Sequence, residues 1–396
     1  MQLQNIYIES FRHFESRAGR NPRLSRKTNI AGAWYISLIF FKIFFRVLKR
    51  PRNTYVHRFT SKARGKCELV LGKKHLALSK HLELDTCLIY IGSRPNIAVD
   101  IVISNSRLVW GFILFSPMIL EDIKNVPWEL FRKNDFRYVK AAILKNAVYA
   151  HLRPSSLLIY NDHTPYALLL AHMVGKKKVI YCQHAAVGPT FPPIDFAHNF
   201  LFSRHSYDIY SEIGISKFSK CYVVGDLLCS ALTNNMSSGR KELSNKVLIA
   251  YNMLDSLVEV AELKSTLIDL GFIVGLRQHP RERRKQLPNS NYVQGNLDGV
   301  FDNYGVLVTN ESSIVLEALV KGVLVYKYTK FSSSLDQYGF LKRGLLKREF
   351  QDKSDLIESI VNKEISYNST VLDYFVGDYT NSVKNIKRIY NEIHDF

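Results

Sequence analysis

From residue 86 onward the chain reads as short apolar runs separated by polar turns. Runs at 87–91, 99–103 and 108–115 have strand length, and positions 140–151 have helical spacing. A strand at 157–160 ends in Asn161-Asp162-His163-Thr164-Pro165, with a helix behind it over 166–174. The next strand, 178–182, runs into Gln183-His184-Ala185-Ala186-Val187-Gly188-Pro189. Strands at 200–202 and 221–224 continue the series, with a helix at 207–213 between them. The polar, small-residue-rich stretch 233–245 predicts a linker. Beyond it come a strand at 247–250, a helix at 256–270 capped near Asp255, strands at 272–276, 306–308 and 323–326, and a helical tail. Strands that alternate with helices pair in parallel, because parallel neighbours need crossover connections. The expected fold is α/β, with two Rossmann-like domains facing each other across a cleft. In such sheets active residues collect at the carboxyl ends of the strands, where Asp162, His184 and Asp226 are placed.

The second half carries the stretch that organises the chemistry. Val306-Leu307-Val308 predicts a buried strand, Thr309-Asn310-Glu311-Ser312-Ser313 a turn, and Ile314 onward a helix. Such a turn presents unpaired N–H groups and two hydroxyls at a helix N-terminus, which suits a phosphate. Glu317, one turn further on, is placed to meet a ribose hydroxyl. Serine is also an ordinary N-cap, so the pattern alone leaves both readings open. About thirty residues earlier, Arg277-Gln278-His279-Pro280 closes a predicted strand on the same carboxyl edge. His279 is suited to donating a proton to a departing phosphate oxygen, and Arg277, Arg281, Arg283 and Arg284 surround it with positive charge.

Composition narrows the class. The chain has 396 residues, 46% hydrophobic and 22% charged, which suits two ordinary globular domains. Its five cysteines are odd in number and form no CxxC pair, which argues for a reducing compartment and against both disulfides and a zinc site. The amino terminus has no apolar core of a secretory signal. Net charge is +19, and residues 1–80 hold 18 Lys/Arg against three acids. Within 30–52, Lys42, Arg46, Lys49 and Arg50 fall on one helical face, beside an apolar face of Ile36, Ile39, Phe40, Ile43 and Val47. That pattern predicts a helix lying in an anionic membrane surface, and its charges exclude a clean membrane span. The expected domains are a basic N-terminal segment at 1–80, an acceptor domain at 81–235, a nucleotide-donor domain at 245–370, and a C-terminal helix at 371–396 crossing back.

RQHP (277–280) and TNESSIVLEALVKGVLVY (309–326) resemble the HP and Ser-Ser motifs of bacterial GT-B sialyltransferases and related CMP-nonulosonate or Kdo transferases. They also resemble motifs of polyol-phosphate transferases that build teichoic-acid-type capsules. YNDHTP (160–165) and YCQHAAVGPTFPP (181–193) look like the acceptor-side motifs of these enzymes. The resemblance implies a GT-B-like fold, with His279 touching a cytidine nucleotide's phosphate and Ser312 and Ser313 holding it. Two departures stand out. His184 is followed by Ala185 where the polyol-phosphate enzymes carry His-Gly, and the acidic–acidic–Gly triplet of sialyltransferases is absent from the first half. Asp162 is its nearest analogue.

The implied activity is that of a metal-independent, inverting glycosyltransferase without a cofactor. It moves sialic acid or another nonulosonate from its CMP donor to a lipid-linked or surface glycan, in lipopolysaccharide O-antigen or capsule polysaccharide synthesis. The alternatives are a CDP-polyol phosphotransferase and a nucleotide-sugar epimerase. Sugar transfer needs a base for the acceptor hydroxyl and donor groups on the leaving phosphate. Asp162 and His184 are the expected bases, with Asp195 and Asp208 as alternatives. Arg277, His279, Pro280, Ser312, Ser313 and Glu317 are the expected nucleotide ligands. No RNP, zinc or helix-turn-helix signature accompanies the basic arm, which excludes a nucleic-acid partner. The expected location is cytoplasmic, peripheral on the inner face of the membrane.

Overall fold

The computed structural model describes residues 54–55, 66–84, 86–91, 102–103, 155–162, 164–232, 245–279, 282, 284, 286–333 and 336–394. The predicted amphipathic helix at 30–52, the strand at 108–115, the helix at 140–151 and all but the last residue of the 233–245 linker lie outside them, as do His163, Pro280, Arg281 and Arg283. Contacts divide the chain into two units. The first takes in the described residues up to His184 with Thr190–Phe200 and Tyr210–Tyr222. The second comprises Ala185–Pro189, Leu201–Ile209 and the chain from Val223.

A short antiparallel pair joins β1 (Thr54–Tyr55) to β4 (Val102–Ile103). The first large sheet contains β2 (Lys66–Leu71), β3 (Cys87–Ile91), β5 (Ser156–Ile159), β6 (Val179–Cys182), β7 (His198–Leu201) and β8 (Lys220–Val223), in the order β3-β2-β5-β6-β7-β8. Its pairings are parallel, with registers such as Leu69↔Ile159 and Leu158↔Ile180. Helices α1 (Gly72–Leu82), α2 (Pro165–Val174) and α3 (Arg204–Ile213) provide crossovers. Leu157–Ile159 and Val179–Cys182 are buried throughout, as strands covered on both faces must be. Strand β2 and most of helix α1 fall inside the stretch read from sequence as basic N-terminal segment. The apolar Leu69-Val70-Leu71 there is framed by Lys66, Lys73 and Lys74, which masks a strand bonded between two neighbours.

The second unit holds a five-stranded parallel sheet, β10-β9-β11-β12-β13, from β9 (Lys246–Tyr251), β10 (Ile273–Gln278), β11 (Val306–Thr309), β12 (Leu324–Tyr328) and β13 (Glu349–Phe350). Around it stand α4 (Leu227–Ser230), α5 (Leu257–Asp269), α6 (Leu297–Phe301), α7 (Ile314–Val320), α8 (Lys353–Val361), α9 (Leu372–Val376) and α10 (Ser382–His394). Alternate strand residues face opposite sides. Val247, Ile249, Val306 and Val308 pack with Val260, Leu263 and Leu267 of α5, whereas Leu248, Leu307 and Val325 pack with Val315, Leu316 and Leu319 of α7. Gly275 lies on the α7 side of β10, where a Cβ would overlap the Tyr304 hydroxyl. The tail is helical but breaks at Gly377, and α10 docks within this unit, Asn385 Nδ2 donating to Val224 O at 3.3 Å. Gly225, at φ +97°, passes so close to the Asp378 carbonyl that no side chain fits.

His205 is buried here, 4.4 Å from the Phe375 ring centroid. Burial pushes its imidazole down to about 4, Arg343 adding to the effect against Asp208, Asp336 and the Tyr338 backbone. The unfolded chain protonates a histidine near 6.5, whereas the folded chain keeps this one neutral to about pH 4. Stability is therefore complete above about pH 6.5 and is lost as pH falls toward 4. Urea midpoints across that window are expected to show the His205→Phe variant relieved of up to about 3 kcal/mol of that loss.

Candidate functional site

In the first unit the site is built at the carboxyl ends of β5 and β6. Asn161 Oδ1 accepts from Thr164 N at 2.7 Å, and Thr164 Oγ1 accepts from Ala167 N at 3.4 Å, so the turn after β5 caps α2, with Pro165 as its first residue. Asp162 is 5% exposed, and its Oδ2 accepts from Tyr210 Oη at 2.9 Å. Tyr181 Oη lies 3.3 Å from that phenol. Burial pushes both phenols well up, and the Asp162 charge adds to it. Asp162 is thus one end of a buried tyrosine chain.

His184 stands two residues past β6 and is half-buried. Its ring meets that of His75 edge-on, with centroids 4.9 Å apart at 73°. His75, on α1, is buried and lies 5.5 Å from the Tyr160 ring. The Tyr160 hydroxyl donates to Glu68 Oε1 at 2.5 Å, and Thr86 Oγ1 donates to Glu68 Oε2 at 2.8 Å. Glu68 is 1% exposed, and burial raises its carboxyl above the ordinary range against the pull of those hydroxyls. Glu68, His75 and Tyr210 were not singled out from sequence. Their roles depend on distant partners, 92 residues away for Glu68 with Tyr160 and 109 for His75 with His184, so no local pattern betrays them.

The alternative bases stand elsewhere. Asp195 precedes β7 at its amino end, ion-paired with Lys176 and accepting from Ser216 Oγ at 2.7 Å. Asp208 pairs with Arg204 at 2.9 Å and accepts from Tyr374 Oη at 2.8 Å. Asp226 caps α4, its Oδ1 accepting from Leu228 N at 2.7 Å.

In the second unit His279 follows β10 and is exposed, its backbone N donating to Tyr251 O at 2.9 Å. Strand β9 separates β10 from β11, so the ends bearing His279 and the serine pair stand about 10 Å apart, two strand spacings. Thr309 Oγ1 bridges to Ala250 O at 2.8 Å. The turn is anchored beyond: Asn310 Nδ2 donates to Ser332 O at 2.7 Å and to Ser332 Oγ at 2.8 Å, and Ser332 Oγ donates to Asp255 Oδ1 at 2.9 Å. Asn310 is buried, with no hydrogen-bond partner for its Oδ1 among the described residues. Ser312 Oγ meets Ile314 N at a long 3.4 Å, and Ser313, the residue at the cap of α7, makes no side-chain cap bond.

Of the arginines expected around His279, Arg284 is engaged with Glu282 and with the Asn252 and Asp255 carbonyls, both at 2.7 Å. Arg277 Nη2 donates to Gly295 O at 3.1 Å. Burial pulls the Arg277 guanidinium below its ordinary range, and the charge of Glu317 on α7 opposes this. Glu317 itself is 6% exposed.

No protein-family model matches the sequence, and no curated protein matches it. Solved structures do share its fold. The UDP-GlcNAc 2-epimerase of Methanocaldococcus jannaschii in complex with UDP-GlcNAc and UDP matches with a TM-score of 0.51 at 14% identity, over 83% of this chain and 99% of its own. A variant of the wall teichoic acid polymerase TagF matches with a TM-score of 0.52 at 11% identity, over 84% and 90%. MnaA of S. aureus, in a structure with UDP, gives 0.51 at 12% identity, over 84% and 98%. At such identities the likeness is one of fold. The protein has a GT-B-type architecture, two parallel-sheet α/β units.

Proposed function

We propose that the protein is a transferase using a cytidine-nucleotide donor, with the phosphate held by Ser312, Ser313 and His279 and the acceptor hydroxyl deprotonated by His184. The observation that carries this reading is the turn before α7. An ordinary N-cap serine accepts from an amide of the first turn, but Ser313 makes no such bond, which leaves its hydroxyl for an anion. The Glu317 charge acts on Arg277, and in this reading Arg277 serves the phosphate while Glu317 takes a ribose hydroxyl. Pro280 fixes the backbone after His279 in this reading. The donor we favour is a CMP-linked acidic sugar and the acceptor a lipid-linked glycan, with no metal or cofactor. The epimerase likeness is one of fold and does not alter the reading.

A second reading is favoured by a specific observation. Asp162 is buried against Tyr210, while His184 is half-buried with its ring set by His75. A histidine base is what the resemblance implies for polyol-phosphate transfer, so a CDP-polyol donor stays in play. Thermal-shift titration with CMP, CDP, UDP and GDP, followed by turnover with CMP-sialic acid and a CDP-polyol, separates them. Stabilisation by UDP or GDP alone removes both readings. With the preferred donor, His184→Ala is expected to lower turnover ~10²-fold with nucleotide binding unchanged, and Asp162→Asn far less. A larger loss from Asp162→Asn would make the carboxylate the base.

A further inference from the structure

The amino ends of the first sheet form a basic edge that carries an exposed aromatic ring. Lys66 opens β2, Lys177 and Lys178 stand just before β6, and Lys217 and Lys220 bracket the approach to β8. Their backbones run side by side: Ala197 N donates to Lys176 O at 3.1 Å, and Lys220 N donates to Ala197 O at 2.8 Å. Lys177, Lys178, Lys217 and Lys220 are all exposed. The carboxylates of these flanking elements are Asp195, already ion-paired with Lys176, Glu212 at the end of α3, and the exposed Glu83 just ahead of β3, fewer than the lysines. Positive charge therefore prevails.

Between Lys217 and Lys220 sits Phe218, 40% exposed. One exposed aromatic is ordinary on a protein surface. This one tips a turn that is held on both sides: Ser219 N donates to Ser216 O at 2.9 Å, Ser216 N to Ile194 O at 2.9 Å, and Ser216 Oγ to Asp195 at 2.7 Å. The sequence adds a second argument. Residues 1–65 contain fourteen Lys/Arg against two acids, and the chain passes from them into the sheet at Lys66, on this same edge.

We propose that this edge docks on an anionic lipid surface, with the lysines over the headgroups and the Phe218 ring in the interface. The physics is that of peripheral proteins: each basic side chain near an anionic bilayer is worth about fivefold in affinity, and an aromatic ring favours the boundary. A single-stranded nucleic acid would want a groove with successive stacking rings, which one phenylalanine on a projecting turn does not supply.

The test uses the full chain with phosphatidylcholine vesicles containing or lacking phosphatidylserine. The Lys177→Gln/Lys178→Gln/Lys217→Gln/Lys220→Gln variant is expected to bind the anionic vesicles ~10²-fold more weakly. The Lys342→Gln/Lys347→Gln/Lys363→Gln/Lys384→Gln variant, equal in charge but changed elsewhere, is expected to lose less than about threefold. The Phe218→Trp indole should shift its emission to the blue with anionic vesicles and not with neutral ones. Nucleotide thermal shifts should stay as in the wild type in every variant, so failure here is separable from failure of the transferase reading. Equal losses in the two lysine sets would overturn the proposal, as would an indole that does not respond. Tighter binding to single-stranded RNA than to anionic vesicles, abolished in the first set, would reassign the edge to nucleic acid.

Discussion

Replacing both serines, as Ser312→Ala/Ser313→Ala, is expected to abolish stabilisation by the preferred nucleotide and to lower kcat/KM ~10³-fold, with the unfolding midpoint of the free protein unchanged. The separation of effects follows from the local structure. Ser313 makes no capping bond, and Ser312 Oγ makes one at 3.4 Å, so little folding energy rests on either hydroxyl. The helix behind them is held by Val315, Leu316, Ala318 and Leu319, all buried, and neither substitution touches those contacts. Against a phosphate the same hydroxyls become charge-assisted donors, which are about twice as strong as neutral ones. A double variant that melts several degrees lower without nucleotide would show the serines to be structural. One that retains full nucleotide protection would remove phosphate binding from the turn. His279→Ala offers a control on the neighbouring strand end. The imidazole is exposed, so its removal should likewise leave the free protein's midpoint in place while weakening turnover.

How much of this was legible in the sequence depended on whether a signal was local. The parallel strands of the second unit announce themselves because both faces are covered, giving unbroken runs such as Val306-Leu307-Val308. The turn after β11 was equally visible, since Ser-Ser before an apolar helix is a contiguous pattern. Strand β2 was not. It lies between β3 and β5, yet its residues sit in a lysine-rich stretch that composition assigns to an extension. Glu68 illustrates the deeper limit. An acid inside a short apolar run reads as the exposed side of a pleat, and only the fold supplies Tyr160 and Thr86 to satisfy it in the interior. Among the base candidates, sequence placed Asp162 and His184 equally well. Their difference in burial comes from Tyr210 and His75, on helices that no local rule links to those strand ends.

Lys327→Met is expected to destabilise the second unit by about 3–5 kcal/mol and to weaken nucleotide binding as well. Lys327 is 1% exposed on β12, with its Nζ 3.0 Å from Glu311 Oε2 and 3.8 Å from both Asp336 Oδ1 and Glu349 Oε2. Glu311 belongs to the turn that presents Ser312 and Ser313, and its other oxygen accepts from Tyr338 N at 3.0 Å. Asp336 Oδ2 in turn accepts from Leu341 N at 3.0 Å and Lys342 N at 2.9 Å. One buried ammonium therefore ties the serine turn, the 336–342 loop and β13 to the sheet. Burial, with the Asp336 charge adding to it, raises the Glu311 carboxyl above its ordinary range, and Lys327 is the chief group holding it down. Without the lysine that carboxylate must either take up a proton or drag its turn toward water, and the second course displaces the serines. The deficit relative to the wild type should shrink at acid pH, where protonation relieves the stranded carboxylates. Adding Glu311→Gln should restore part of the stability, since a neutral amide no longer needs the missing charge. Urea denaturation of the four members of that cycle measures the coupling. A cost below about 1 kcal/mol for Lys327→Met, or a double variant no more stable than the single, would mean that packing rather than this ion cluster holds the turn.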